Sequence, residues 1–295
     1  MGIRESKICK LCEQKKTLKE SHIIPKFVFR WMKQTGGNYI RKADNVNKRV
    51  EDGVKQYFLC GDCEGLFSKL EDKFARDIFY PYSNNNVTTF NYDEDLLKFS
   101  ISVLFRILLV NHNASGSFDN IHWKDLLSAE NEWKDFLYKD GELVNFNKIH
   151  IYFASDEIIN NSIPAERFLN FFLRGVDGTI VSNNKSCIVY AKMARIILIG
   201  EIKEFDSTEM KNTLIKIYGG EFFTHQMKLN TLFKEFFIDR VQQINMLFDK
   251  VSDKQMNNAM QYSDWYMKNY PESDISKILE KENKLIIDST LADFE

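Results

Sequence analysis

The sequence has no long apolar run, and its first ten residues, MGIRESKICK, lack the apolar stretch of a signal peptide. No run approaches the roughly 18 residues that a membrane span needs. We therefore expect a soluble, cytoplasmic chain with no membrane partner. Cysteine is also scarce, with 5 among 295 residues. Because nothing here is typical of secretion, a disulfide scaffold is disfavoured.

Short motifs of nucleotide and hydrolase chemistry are absent too. There is no P-loop, no GxGxxG and no GxSxG, which leaves nucleotide-driven and α/β-hydrolase reactions without support. Four histidines lie far apart without HxxxH spacing, and we predict structural roles for His112, His122, His150 and His225. We also expect Cys187, within an apolar strand, to be a small buried hydrophobic residue.

The net charge of −2 conceals a segregation of charge along the chain. Residues 1–58 hold 14 Lys and Arg against 6 Asp and Glu, whereas the whole chain has 40 against 42. The first part is thus basic and the remainder acidic. This pattern is typical of a nucleic-acid-binding module joined to a regulatory or partner-binding domain, although a solvated lysine-rich surface gives the same counts.

Four of the five cysteines form two pairs of identical spacing, Cys9-Lys-Leu-Cys12 and Cys60-Gly-Asp-Cys63. Each pair makes a short turn that can direct two sulfurs at one ion. Together they predict one structural zinc with four thiolate ligands, in a closed site. Two disulfides, or two unrelated redox motifs, are the alternatives.

The segments around these pairs predict the order knuckle, hairpin, knuckle, helix. A short helix is expected after Pro25, and the polar residues 39–56, with a turn signal at Asp52-Gly53, predict an exposed extended segment or hairpin. After the last cysteine, apolar residues recur at helical spacing and predict an amphipathic helix that starts at the metal. These are Leu66, Phe67, Leu70, Phe74 and Ile78. This order is that of a treble-clef zinc module.

Pro81 and the polar run of residues 83–86 form the best domain boundary. We predict an α+β chain with a treble-clef zinc module over residues 1–82. A larger domain of helices and an antiparallel sheet is expected over residues 88–295. Within it, residues 93–112 and 123–138 predict helices. Residues 148–202, including the aromatic segment FLNFFLRG, predict three to five antiparallel strands with a hairpin turn at Asp177-Gly178. A last helical block is expected over roughly residues 224–269 and leads to a charged tail.

His22 lies between the cysteine pairs in the segment Ser21-His-Ile-Ile-Pro25, and residues 7–80 resemble HNH endonucleases of the ββα-metal type. Many of those enzymes combine a CxxC pair, a (D/E)HIxP-like signature and a second CxxC pair that opens a helix. The resemblance implies that His22 is the general base for phosphodiester hydrolysis. An imidazole suits that role because it can accept a proton near neutral pH. The resemblance further implies a catalytic magnesium or manganese ion besides the zinc.

The sequence departs from this family at the expected ligands of the catalytic ion. Ser21 stands where Asp often precedes the histidine, and the helix after Cys63 offers carboxylates but no histidine. Because carboxylates are good ligands for magnesium, Glu64 is our candidate substitute. The alternatives are that Glu64 only stabilises the helix start, and that the His22 ring packs by the zinc site and bonds a backbone carbonyl.

Basic residues in the first part of the chain are the candidate phosphate contacts of a nuclease. They are Lys26, Arg30, Arg41, Lys42, Lys48 and Arg49. The first hypothesis is therefore an HNH-like endonuclease acting on DNA, for which the resemblance implies restriction or phage defence. A homodimer or partner protein would supply the second cut of a double-strand break. The second hypothesis is a non-catalytic zinc-binding adaptor that docks on nucleic acid or on a protein.

Overall fold

A computed structural model describes residues 6–36, 40–41, 49–50, 52–112, 116–155 and 167–292. The chain forms two compact units, each assembled from three segments. The first unit comprises Met1–Pro25, Val54–Phe153 and Asp177–Leu229. The second unit comprises Lys26–Gly53, Ala154–Val176 and Asn230–Glu295. The division into residues 1–82 and 88–295 stays a prediction.

The described residues form a mixed α and β structure, as the α+β prediction requires. The α-helices are α1 (Lys26–Gly36), α2 (Gly61–Phe74), α3 (Tyr80–Asn85), α4 (Glu94–Asn111), α5 (Trp123–Lys139), α6 (Phe168–Arg174), α7 (Thr231–Phe248), α8 (Asp253–Asn269) and α9 (Asp274–Ala292). The strands are β1 (Lys7–Ile8), β2 (Lys15–Lys16), β3 (Leu18–His22), β4 (Ile40–Arg41), β5 (Arg49–Val50), β6 (Lys55–Cys60), β7 (Thr89–Tyr92), β8 (Ile149–Phe153), β9 (Val176–Ser182), β10 (Cys187–Met193), β11 (Ile196–Lys203) and β12 (Gly220–Phe223). No helix among these residues is long and apolar enough to cross a membrane.

The amino-terminal part of the first unit contains two antiparallel strand pairs and the helix that follows the second cysteine pair. Strands β1 and β2 form a short antiparallel hairpin, and β3 pairs antiparallel with β6 from Leu18 opposite Cys60 to His22 opposite Lys55. Helix α2 begins directly after Cys60 and buries the face that carries Phe67 among others, which confirms the amphipathic helix. A π-helical turn over Ala75–Phe79 joins α2 to α3.

Helix α4 forms the core of the first unit. Its N-cap Asp93 accepts a hydrogen bond from the Asp95 amide, and nearly every residue from Leu96 to Leu109 is buried. A helix that is apolar all round belongs inside a protein, and α4 packs against α5 and the central sheet. Gly200 in β11 allows this close packing, since a Cβ there would lie 2.8 Å from the Trp133 ring of α5.

The central sheet has four strands in the order β8-β11-β10-β9. Two sequence-based predictions in this region were wrong. Residues 168–174 form helix α6 rather than a strand, because Phe168, Leu169, Phe172 and Leu173 bury one helical face. The Asp177-Gly178 pair lies inside β9 rather than at a turn.

The second unit is anchored at a buried arginine, Arg174, at the end of α6. Its Nη2 donates to the Met32 carbonyl at 2.8 Å and its Nη1 donates to the Thr35 hydroxyl at 2.9 Å, both in α1. The guanidinium also pairs with the Asp274 carboxylate and lies 4.7 Å from the centre of the Trp31 ring. One side chain therefore joins α1, α6 and the start of α9.

Candidate functional site

The four cysteines of the two CxxC pairs lie together. Their sulfurs are all within 4.8 Å of one another, and the Cys12 and Cys60 sulfurs are 3.8 Å apart. The four cysteines are free thiols, which argues against the disulfide alternative. A tetrahedral ion with metal–sulfur bonds of about 2.3 Å requires sulfurs about 3.8 Å apart. The four side chains therefore fit a structural metal ion.

Two local structures present these sulfurs. Cys9 and Cys12 lie in the turn between β1 and β2, where the Glu13 amide donates to the Cys9 carbonyl at 2.9 Å and Glu13 adopts a left-handed φ of 58°. Cys60 ends β6 and Cys63 lies in the first turn of α2. The Lys10 amide donates to the Phe58 carbonyl at 2.9 Å and so joins the first turn to β6.

The electrostatics of the cluster favour a bound cation. Burial opposes ionisation of Cys9, but amide groups of Cys12, Cys60 and Leu11 outweigh it and lower the pKa of this thiol. The Cys60 amide donates to its sulfur at 3.3 Å. Burial, followed by the neighbouring thiols, raises the pKa of Cys63. Four thiolates cannot coexist here unless a positive ion offsets their repulsion.

His22 is the last residue of β3, and its side chain is half-buried. The backbone around it is held on two sides. The Ile23 amide donates to the Val54 carbonyl at 3.0 Å, and the His22 carbonyl accepts from Arg106 Nη1 at 2.8 Å. The backbone of His22 is thus fixed at the end of the strand, and the residue is partly accessible to solvent.

Glu64 contacts the residue that precedes His22. The Ser21 side chain is fully buried and its hydroxyl donates to Glu64 Oε1. Glu64 belongs to the first turn of α2, directly after Cys63. Neighbouring strand residues point to opposite faces, in agreement with a buried Ser21 beside a half-exposed His22. Glu64 therefore meets β3 on the Ser21 side.

Arg106 of α4 is the residue whose position the sequence did not predict. From the sequence, an arginine within an apolar helix is expected either to line an anionic pocket or to pair with a nearby acid. Its Nη1 donates to Glu71 Oε1 at 2.7 Å as well as to the His22 carbonyl. The only local signal was its isolation among apolar residues, which indicates a buried charge but names no partner.

The structure separates the candidate nucleic-acid contacts into three groups. Lys26 and Arg30 are exposed on α1, where they line a cleft of about 290 Å³ together with Lys33. Arg41 and Arg49 lie opposite each other in the short β4–β5 ladder. Lys42 and Lys48 fall outside the described residues.

Within the described part of the chain, the four cysteines are the only group of three or more His, Cys, Asp or Glu side chains placed to share an ion. The chain matches no protein-family model, no curated protein and no solved structure. Its function is therefore inferred from its own residues. His22, Glu64 and Glu71 do not form a second cluster of that kind, so a catalytic ion would need further ligands, such as substrate oxygens.

Proposed function

We propose that this protein is a metal-dependent HNH-like endonuclease that hydrolyses phosphodiester bonds of DNA in the cytoplasm. In this proposal residues 1–82 form a treble-clef module around one structural zinc bound by Cys9, Cys12, Cys60 and Cys63. Zinc is preferred because four thiolates with closely spaced sulfurs are typical of its structural sites. The resemblance to enzymes of restriction and phage defence gives the biological role that we propose.

The observation that carries the proposal is the position of His22 at the end of β3, in a strand pair that leads into α2. Strand β3 ends at His22 and pairs with β6, while β6 ends at Cys60 and leads directly into α2. With α1, β4 and β5 inserted between the strands, the order β3, β6, α2 is compatible with the strand, strand, helix order that the HNH resemblance implies, and the partly exposed His22 ends the first strand. The four-sulfur cluster holds the start of the helix beside this pair of strands.

Two side chains have proposed catalytic roles. His22 accepts the proton of the attacking water, as a general base must be within reach of solvent and substrate to do. Glu64 offers a carboxylate for a magnesium or manganese ion. Because Ser21 and His22 point to opposite faces of β3, this carboxylate would reach the ion by leaving its hydrogen bond with Ser21. When bound, such an ion would neutralise the charge that develops on the phosphate.

The basic side chains would hold the DNA backbone without selecting its sequence. Lys26, Arg30 and Lys33 follow one another at spacings of four and three residues, which places them on one side of α1. Lys26, Arg30 and Lys33 line one cleft together with Asp52, and we propose that these three cations contact phosphates. We assign the same role to Arg41, Lys42, Lys48 and Arg49.

Incubation of purified protein with supercoiled plasmid in magnesium or manganese tests the proposal. The wild type is expected to nick or linearise the plasmid, and His22→Ala is expected to abolish cleavage while retaining zinc. His225→Ala, at an exposed histidine on a short helical turn, is the matched control. Intact plasmid in both metals, or equal cleavage by His22→Ala, rejects the nuclease function.

One observation favours a second function, a non-catalytic zinc adaptor that docks on nucleic acid. The carboxylates of Glu64 and Glu71, which could bind a catalytic ion, already have protein partners. Ser21 donates to Glu64, and Arg106 donates to Glu71. An adaptor would bind DNA equally well with and without divalent ions and would leave it intact. Gel-shift measurements in EDTA and in magnesium, run beside the plasmid assay, distinguish the two functions.

A further inference from the structure

Arg106 is a charged side chain in the most buried helix of the first unit. The residue is only 2 % exposed, and its neighbours Phe105 and Ile107 are buried as well. Burying a guanidinium away from water is unfavourable unless its donors find acceptors. Its Nη2 is buried without an acceptor among the described residues. Stability alone therefore does not account for an arginine here, since an apolar side chain of similar volume would avoid this desolvation.

The acceptors that Arg106 does find lie around His22. Nη1 donates to the His22 carbonyl at 2.8 Å and to Glu71 Oε1 at 2.7 Å, while Nε donates to the Ser102 carbonyl of its own helix at 3.1 Å. The guanidinium also lies 5.4 Å from the centre of the Phe67 ring of α2. One planar group thus joins the end of β3 to both α2 and α4.

The contact with the His22 carbonyl completes a clamp on one peptide group. In a trans peptide the carbonyl of one residue and the amide of the next point in opposite directions. The Ile23 amide faces the segment that enters β6, where it donates to the carbonyl of Val54, the residue before the strand, at 3.0 Å. The His22 carbonyl consequently faces away from β6, toward Arg106. Both ends of the peptide plane are held, which fixes the direction of the His22 Cα–Cβ bond.

Glu71 makes this clamp an ion pair rather than a single hydrogen bond. Its side chain is 19 % exposed and that of Arg106 is 3 % exposed, so the pair is largely shielded from solvent. A planar guanidinium can serve a carbonyl and a carboxylate together, whereas a lysine ammonium is a point charge on a flexible stem. Arginine also donates from Nε to the Ser102 carbonyl, a contact that a lysine at this position lacks.

We propose that Arg106 is a positioning residue for His22, acting through the His22 carbonyl with Glu71 as its counter-ion. The proposal rests on the nuclease function, in which His22 is the general base. Arg106 is buried and does not itself contact DNA or water at the reacting phosphate. It holds the strand end so that the imidazole meets the attacking water in one orientation, an effect on the chemical step rather than on DNA binding.

The test compares Arg106→Lys with Leu108→Ala, a cavity-forming change at a buried residue of the same helix. Each variant is measured for plasmid cleavage kinetics, zinc content, melting temperature and hydrogen exchange of the Ile23 amide. Arg106→Lys is expected to lower kcat roughly 10- to 100-fold with little change in KM, since small misplacements of a catalytic group have effects of this size. Zinc content should not change. The Ile23 amide should exchange roughly tenfold faster.

Glu71→Gln is a third variant with an expected intermediate effect, because the Gln amide oxygen can still accept a hydrogen bond from Arg106 Nη1 but carries no charge. Its kcat should fall less than that of Arg106→Lys. The kcat of Arg106→Lys is compared with that of Leu108→Ala at an equal loss of stability. If Arg106→Lys loses no more kcat than Leu108→Ala, the proposal is overturned. If the wild type does not cleave DNA, the general-base function fails separately, and the exchange rate of Ile23 decides whether Arg106 positions His22. Unchanged exchange then overturns the positioning role as well.

Discussion

The hydroxyl of Ser21 donates a hydrogen bond to the carboxylate of Glu64, the residue that follows the last cysteine of the cluster. This contact joins the strand that bears His22 to the helix that begins at the candidate metal centre. Ser21 donates the proton of this bond, which orients the Glu64 carboxylate toward β3.

Removing the Ser21 hydroxyl tests the structural importance of this bond. Ser21→Ala leaves the partly buried Glu64 carboxylate without its donor, and we expect a loss of about 1–3 kcal/mol in the free energy of unfolding. Urea denaturation measures it. Ser68→Ala, at an exposed serine of the same helix, should have little effect. Equal small losses in both variants would show that the Ser21 bond does not stabilise the fold.

Metal analysis tests the cysteine cluster. We expect one zinc per chain in the wild type and loss of most of it in Cys60→Ser, because a structural zinc site needs all four ligands and contributes about 10–16 kcal/mol. Cys187→Ala is the control, since Cys187 is buried outside the cluster. Elemental analysis by mass spectrometry gives the ratio. Equal zinc in the two variants would contradict the assignment of Cys60 as a ligand.

Breaking the Arg174 anchor should destabilise the second unit. Arg174→Met removes the contacts to Met32 and Thr35 and the ion pair with Asp274. Loss of one partner of a buried pair typically destabilises a protein by about 3–5 kcal/mol. Chemical denaturation followed by circular dichroism measures the loss.

A surface pair provides the comparison for Arg174. Lys277 and Glu272 lie 2.9 Å apart with side chains 61 % and 89 % exposed, so Lys277→Met should change the free energy of unfolding by no more than about 1 kcal/mol. Similar losses for Arg174→Met and Lys277→Met would exclude the anchoring role of Arg174.

The buried Lys192 predicts a pH dependence of stability. Burial lowers the pKa of Lys192 from the ordinary 10.5 to about 7. Between these two values the unfolded chain binds a proton that the folded chain does not, so stability should rise as the pH increases from about 7 toward 10. Below pH 7 Lys192 is protonated in both the folded and the unfolded chain, so the free-energy cost of burying its charge no longer changes with pH. Lys192→Met should flatten this rise in stability with pH. The substitution also removes the hydrogen bond from Lys192 to the Ala194 carbonyl, a loss that does not depend on pH.

Melting curves at closely spaced pH values check the Lys192 prediction, with Lys228→Met, at an exposed lysine, as the control. The informative quantity is the difference between each variant and the wild type at the same pH, because other groups titrate in the same range. A Lys192→Met curve parallel to that of Lys228→Met would rule out the buried amine as the source.

The basic side of α1 predicts salt-dependent DNA binding. Each of Lys26→Gln, Arg30→Gln and Lys33→Gln should weaken binding for all sequences alike and should reduce the slope of log affinity against log salt by about 1. Fluorescence anisotropy over a salt series measures both quantities. Lys185→Gln, at an exposed lysine, should leave the slope unchanged. A slope unaffected by the α1 variants would remove this helix from the DNA contact.

Local spacing was enough to predict part of this structure. The two CxxC pairs indicated four clustered sulfurs, and helical periodicity indicated α2, α4 and α5 within a few residues of their bounds. Predictions that relied on amino-acid composition instead of periodicity were wrong. The aromatic segment at residues 168–174 had the composition of a strand, yet its buried residues follow a helical period. Gly178 lies within β9, and its lack of a side chain serves close packing and not a turn. A Cβ there would lie 2.5 Å from the Ile107 side chain.

The sequence by itself determined each CxxC turn and the main helices, because each depends on residues only a few positions apart. That the two turns meet was predicted from the four ligands that a structural metal ion needs, not from a backbone preference. Only the tertiary structure decided the partners of the charged groups. Ser21 and Glu64 are 43 residues apart, and His22 and Arg106 are 84 apart. No backbone preference links such distant positions. Their contacts arise when α2 and α4 bury their apolar faces and leave a few polar groups that must find one another to avoid isolation from water.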